Sequence, residues 1–471
     1  MSSVQVFQRY FAFTMIGVVF GLIRLNISLQ LAFAVTLCSC VFAFIVLRGQ
    51  RRELPIYCLP NFWVILSTFF IYIFSPMILF SQKIDLSRRF ESMGWRDAMP
   101  EALLYGALIF LATVTGILSA KKSTTVNISR GLKPNLVRFL WVVLLSSALY
   151  LRWVSQQGGL QNILATRNAQ VNLGITRNVG YFVDVPIFLC GAVIFLYCYL
   201  LVEKEMSLIR EILFLITIVF LISPNIASGS RSVFLFIFLA FIIAKKSNSV
   251  LSTNLMGFKI NRNKLLAVLI LIPLLVVAPR LYRDSSTFNP NSVKEAYSQS
   301  QVLTTIAGDD MIMVPTFAIL LKKVPNDIQY MYGKSYLTAA LKPIPRILWK
   351  NKPIEFDTYL NQRIFPETAR YFGVAFSGAS EPFVNFGFFG IAFFFHFLSR
   401  FNGYFTRVLV FNRNNPFILF SFSLWTAFMF ILIRGNLSTD YHRFLFPCFA
   451  AFFVSTLVNS KSNDEISKFE K

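Results

Sequence analysis

SGASEPFVNFGFFGIAFFFHFLS, residues 377–399, joins a polar, glycine-spaced segment to an apolar one. Its first half spaces serine, glutamate, asparagine and glycine among apolar residues, and its second half is a phenylalanine-rich run without formal charge. A run of ~20 predominantly apolar residues is the length that crosses a hydrocarbon layer as a helix. Residues 383–399 are therefore read as a membrane span entered through a polar, glycine-spaced mouth.

Working outward, the interval 280–382 before this mouth is the one long stretch that is not a membrane-length apolar run. The same length rule predicts further spans near 7–23, 27–47, 60–80, 100–120, 135–153, 181–202, 211–227, 231–244, 265–281, 415–433 and 443–459. The expected fold class is an all-α polytopic membrane protein of about twelve transmembrane helices (11–13), with one long loop carrying short interfacial helices. Residues 211–244 read either as two spans or as a re-entrant pair. The chain divides into helices one to nine (1–279), the long loop (280–382), helices ten to twelve (383–460) and a polar tail (461–471). Within the loop, the run Met311–Leu321 is too short to span; it suits an interfacial helix or the cover of an embedded cavity.

Composition agrees. A 471-residue chain that is 55% hydrophobic, 14% charged and contains 53 phenylalanines cannot cover a soluble globule with polar surface. The formal charge of +23 sits at the ends of apolar segments rather than on one soluble face, which argues for lipid head groups and topology and against nucleic acid. Basic clusters at 48–52, 121–133 and 245–264 favour cytoplasmic termini and place 280–382 on the opposite side. The six cysteines show no CxxC and no histidines at ligand spacing, so neither disulfides nor a metal site is expected. No nucleotide-binding or hydrolase motif occurs, and no cofactor is expected.

Two constellations are candidates for chemistry. The first is basic: Arg231 in SPNIASGSRS, with Arg280, Lys334, Arg346, Lys352 and Arg434. A guanidinium at a membrane edge is costly unless it meets an anion, and its fork matches phosphate oxygens, whereas a snorkelling residue would only reach head groups. The second comprises Ser377, Glu381 and Asn385 at the mouth of the tenth helix. A helix N-terminus favours an ionised carboxylate, which makes Glu381 a candidate base. Ser380 as N-cap with Pro382 at the first helical position is the plain alternative for this segment. His442 in STDYHR is a second candidate base, oriented by Asp440, while His396 reads as a packed helix residue. Asp309 with Asp310, and Glu355 with Asp357, read as solvated loop carboxylates.

Together, the twelve-helix layout, GSR at 229–231, the long outer loop, PIPRILWKNKP at 343–353 and SGASEPFVNFGFFG at 377–390 resemble the Wzy-type polymerases of bacterial repeat-unit polysaccharides. The segment before Glu381 lacks the histidine motif of the related O-antigen ligases, which favours a polymerase. The resemblance implies an O-antigen polymerase, a glycosyltransferase of the bacterial inner membrane with both termini cytoplasmic. It would join undecaprenyl-diphosphate-linked oligosaccharide units at the periplasmic face and work with membrane lipid and a chain-length regulator. On that basis Glu381 takes the acceptor proton, with His442 in reserve, and Arg231, Arg346 and Arg434 steady the departing diphosphate. A flippase of lipid-linked oligosaccharide and a ligase are the alternatives.

Overall fold

The computed structural model describes residues 3–25, 27–50, 54–81, 86, 88–120, 128, 130–156, 185–227, 231–253, 312–341, 344, 349, 351, 353–366 and 374–459. The first four long helices are α1 (Ser3–Arg24), α2 (Leu29–Gln50), α3 (Pro60–Ser81) and α4 (Met99–Ser119). A strand β1 (Arg130–Pro134) precedes α5 (Leu136–Gln156), α6 (Val185–Val202), α7 (Leu208–Ala227) and α8 (Arg231–Thr253). The long loop contributes three short helices: α9 (Met313–Lys323), α10 (Lys334–Ala340) and α11 (Phe356–Ile364). The chain then forms α12 (Ser380–Phe411), α13 (Pro416–Arg434), the single turn α14 (Leu437–Asp440), α15 (His442–Val454) and β2 (Ser455–Asn459).

Eight of these helices are long and apolar enough to cross a membrane: α1, α2, α3, α4, α6, α8, α12 and α13. The protein is a predominantly helical, multi-pass membrane protein. Helices α5 and α7, of 21 and 20 residues, occupy two further expected spans, and the expected span at 265–281 lies outside the described residues. The pair read as spans or as a re-entrant hairpin forms two long helices, since α8 continues past Ala244 to 23 residues.

The C-terminal expectation is corrected. The helix expected at 443–459 stops at Val454, and Ser455–Asn459 pairs antiparallel with Arg130–Pro134. The eleven-residue apolar run 444–454 followed by Leu457 and Val458 reads as a span, but β-branched Thr456 and Val458 suit a strand once a partner edge is available. Helix α15 has 13 residues, roughly 20 Å at 1.5 Å per residue. The fold thus carries a small two-stranded sheet that periodicity did not announce.

The bundle is built around α4, whose apolar window is wholly buried, with α1, α2, α3, α9 and α12 packed around it. Glycine permits two of these approaches: a Cβ at Gly106 would meet the Tyr72 side chain at 2.7 Å, and one at Gly116 would meet the His396 carbonyl at 2.2 Å. His396 is indeed a packed residue, its Nδ1 2.8 Å from Thr115 Oγ1. Lower in the bundle, Asn402 donates to Asn61 at 2.8 Å and accepts from Trp425 Nε1 at 2.7 Å, so these polar groups are satisfied among apolar walls.

Of the two readings of this run, an interfacial helix or the cover of an embedded cavity, the α9 helix departs from the first. Met313–Leu321 are all buried, Thr316 Oγ1 donates to the Ala375 carbonyl at 3.0 Å, and Phe317 meets Tyr72, Tyr105 and Phe383 edge-on. A run apolar on every side belongs inside a core rather than at a surface. Its charged end, Lys322 and Lys323, exits to Asp97 at 3.2 Å and Asp327 at 2.9 Å.

Candidate functional site at the mouth of helix α12

The mouth is made by a break in α12. Phe386 (φ −144°) and Gly387 (φ +61°, ψ −144°) leave helical geometry, which separates the entry turn 380–385 from the long segment beyond. Positive φ at Gly387 suits a residue without Cβ. The kink also folds the Pro382 carbonyl onto Gly390, where a Cβ would sit 2.0 Å from that oxygen. The entry turn is thereby tucked inwards, and Ser380 to Asn385 are all buried. The helix opens on Ala379 as N-cap without a side-chain cap, with Pro382 in the third position, so the plain capping role expected of Ser380 and Pro382 shifts by one to two residues.

Glu381 is 1% exposed and acts as a clasp. Its Oε1 accepts from Ser335 Oγ of α10 at 2.7 Å, and its Oε2 accepts from the Ser438 backbone N–H of α14 at 3.0 Å. Asn385, one turn on, donates to Ser335 Oγ at 2.8 Å and to the Glu381 carbonyl at 2.8 Å, and its Oδ1 accepts from the Gly333 N–H at 2.7 Å. A third anchor is the Met331 N–H on the Val384 carbonyl, 2.9 Å. The long loop is thus tied to α12 through Met331, Gly333 and Ser335 on its side and Glu381, Val384 and Asn385 on the helix.

Ser377 faces the other side. Its hydroxyl lies 2.8 Å from Tyr72 Oη and 3.4 Å from Ser380 Oγ, and the Gly378 N–H donates to the Ile433 carbonyl at the end of α13 at 2.8 Å. Gly378 is needed there, because a Cβ would meet the Leu432 carbonyl at 2.3 Å. Tyr72 lies in a π-helical turn, Phe70–Phe74, immediately before Ser75-Pro76. Pro76 would crowd the carbonyl four residues back in a regular α-turn, and the widened turn absorbs that conflict while aiming Tyr72 at Ser377.

The segment after α13 completes the cluster. Asn436 is fully buried; its Nδ2 donates to Asp357 Oδ1 of α11, and its Oδ1 has no hydrogen-bond partner among the described residues. Asp440 pairs with Arg443 at 3.2 Å and folds over Gly435, where a Cβ would lie 2.0 Å from its Oδ2. Three carboxylates, Asp357, Glu381 and Asp440, therefore surround Asn436. Burial, then the nearby charges of Asp440 and Glu381, push Asp357 up to about 8, against the opposing Asn436 hydrogen bond. Burial and Glu381 likewise raise the phenol of Tyr336 on α10.

The structure brings together Glu381, Ser377 and Asn385 from the expected set. Lys334 is exposed on α10, beside Ser335. Arg434 ends α13 two residues before Asn436 and is half-buried; His442 begins α15, buried and edge-on to Phe446 with ring centroids 5.7 Å apart. Arg231 opens α8, and its side chain lies outside the described set, as do Arg280, Arg346, Lys352, Asp309 and Asp310. The expectation that Asp357 is a solvated loop carboxylate is overturned: it is drawn into the cluster by Asn436. Sequence reasoning also missed Tyr72, Ser335 and Asn436. Tyr72 had one local signal, the Ser-Pro step inside an apolar helix; the other two had none, because their partners lie 46 to 79 residues away in the chain.

No family model, curated protein or solved structure matches the chain.

Proposed function

We propose that the protein is a polymerase of lipid-linked oligosaccharide units, a glycosyltransferase that extends a bacterial surface polysaccharide at the periplasmic face of the inner membrane. The observation that carries this reading is the polar mouth of α12: a carboxylate and amide cluster gathered from α10, α11, α12 and α14, with Arg434 and Arg443 in the same segment, at the end of a membrane helix. Such a place suits a substrate with an apolar tail in the bilayer and a polar head at its edge. The donor is a glycan on undecaprenyl diphosphate, and the acceptor is a sugar hydroxyl of a new unit. The carboxylates take the acceptor proton, while arginines offset charge on the leaving diphosphate, which itself supplies the driving force. Glu381 is held in the cluster by two donors, so its carboxyl group is fixed in place before substrate arrives. Arg231, Arg280, Arg346, Lys352 and Lys334 are assigned to the diphosphate and glycan side of the site. Both termini lie in the cytoplasm, and a chain-length regulator is the expected protein partner.

Deleting the gene from a producing strain tests the reading. The expected result is lipid A core capped by single repeat units. Absence of any repeat unit outside the membrane would instead identify a flippase. Reporter fusions at residues 255 and 330 should report opposite sides of the membrane; matching signals would overturn the topology.

A further inference from the structure

Among the three carboxylates, Glu381 is shut in: it is 1% exposed and saturated by Ser335 and the Ser438 N–H. Asp440 is engaged by Arg443. Asp357 differs, being partly exposed, with one carboxylate oxygen on Asn436. Asn436 adds an independent sign of a missing ligand, since a fully buried amide leaves Oδ1 without a partner among the described residues. Turning the amide over would only leave the other end unpaired, so in either orientation one polar end awaits a partner. A carboxylate beside an amide with a spare end is what neighbouring hydroxyls of a sugar would satisfy.

We propose that Asp357 is the catalytic carboxylate of chain growth, that Asn436 binds an adjoining hydroxyl of the acceptor sugar, and that Glu381 is a positioning residue that holds α10 and α14 around them. The inference rests on the polymerase reading and deepens it. In the step, the acceptor hydroxyl oxygen forms its bond to the donor sugar's anomeric carbon and gives its proton to the Asp357 carboxylate. The bond from that carbon to the diphosphate oxygen breaks, and its electron pair leaves with the diphosphate. The charged groups facing Asp357 are Glu355 on its own segment, Glu381 on α12 and Asp440 on α14, the last paired with Arg443; Arg434 and His442 flank the same turn. Burial first, and then the negative neighbours Asp440, Glu381 and Glu355, keep Asp357 protonated at rest, so the active, ionised fraction grows as pH rises through about 8.

The test uses the full-length protein in nanodiscs with purified undecaprenyl-diphosphate-linked repeat units, following chain growth across pH 6 to 9. Wild type should speed up through about pH 8. D357N should lose on the order of 100-fold or more and its pH step. D357E should recover much of the rate and a step, which excludes mere misfolding at this position. E381Q removes a negative neighbour and should move the step to lower pH, and N436A should raise KM for the acceptor more than it lowers kcat. A D357N protein that keeps the wild-type rate and step overturns the assignment alone. A step that survives in D357N but vanishes in E381Q makes Glu381 the base instead. Failure of the wild type to make any polymer sinks the polymerase reading, and the assignment with it.

Discussion

The two parts of α12, separated by the break at Phe386 and Gly387, obey opposite rules. Before the break every side chain is buried, and Glu381 and Asn385 spend their hydrogen-bonding capacity on α10 and α14. Beyond it, Phe389, Phe393 and Phe397 recur at intervals of four and stand 59%, 59% and 58% exposed, stacked in a row along one face. The long segment meets an apolar solvent, where a phenylalanine loses nothing by facing outwards. The entry turn buries charge and amide groups, an arrangement that is stable only when each finds a partner. In a membrane chain, then, composition locates the spans, while the placement of satisfied polar groups locates the site.

The most severe way to break the comparison is to remove the clasp. E381A leaves the Ser335 hydroxyl and the Ser438 N–H buried without an acceptor, at about 1–3 kcal/mol for each stranded group. Reversible unfolding in mixed micelles should show a loss of about 3 kcal/mol, together with easier proteolysis around α10. A variant within 0.5 kcal/mol of wild type, on the order of ordinary surface changes, would show that Glu381 holds nothing.

Next in size is the hinge. G390A places a Cβ 2.0 Å from the Pro382 carbonyl, a backbone atom that cannot swing aside as a flexible side chain would. The entry turn must move outwards, at about 1–3 kcal/mol, and the Asn385 bond to the Gly333 N–H should loosen with it. Amide hydrogen exchange at Gly333 and Met331 is the measurement; unchanged protection at both would refute the hinge.

Much of this architecture was legible in the sequence, but unevenly. Spans such as 100–120 and 415–433 were visible because lipid demands long apolar runs, a constraint that each segment meets on its own. The mouth was visible through its glycines and Glu381, since close backbone approaches and a lone carboxylate leave local marks. Asp357 and Asn436 were not, because their meaning lies in a contact between residues 79 positions apart. The β1–β2 pair was missed for the same reason: Ser455–Asn459 forms a strand only against an edge more than 300 residues earlier. Met311–Leu321 was seen as apolar, yet nothing local distinguishes a helix buried by neighbours from one resting on the bilayer.

A smaller, pH-dependent effect separates Asp357 from ordinary loop carboxylates. Its folded value of about 8 lies above the ordinary 3.8, so the folded protein keeps a proton that the unfolded chain releases. That contribution is whole below about pH 4 and is lost as pH rises through about 8. Wild-type stability should therefore decline from pH 5 to pH 9, and D357N should flatten the decline. An identical slope in both proteins would return Asp357 to the solvent.

The finest test makes the same substitution on each side of the break. Phe383 is buried, its ring edge-on to Tyr105 at 5.3 Å and to Phe317 at 5.6 Å, so F383L gives up packing that leucine cannot reproduce. A cost of about 1 kcal/mol is expected from the lost aromatic pairs. Phe393 is exposed and its ring stacks on Phe389 and Phe397 along the outward stripe, so F393L exchanges one apolar surface for another against lipid. Its effect should stay within about 0.5 kcal/mol. Equal costs at the two positions would mean that the outward stripe is itself packed against protein, and the contrast between the two parts of α12 would then concern polarity alone rather than burial as well.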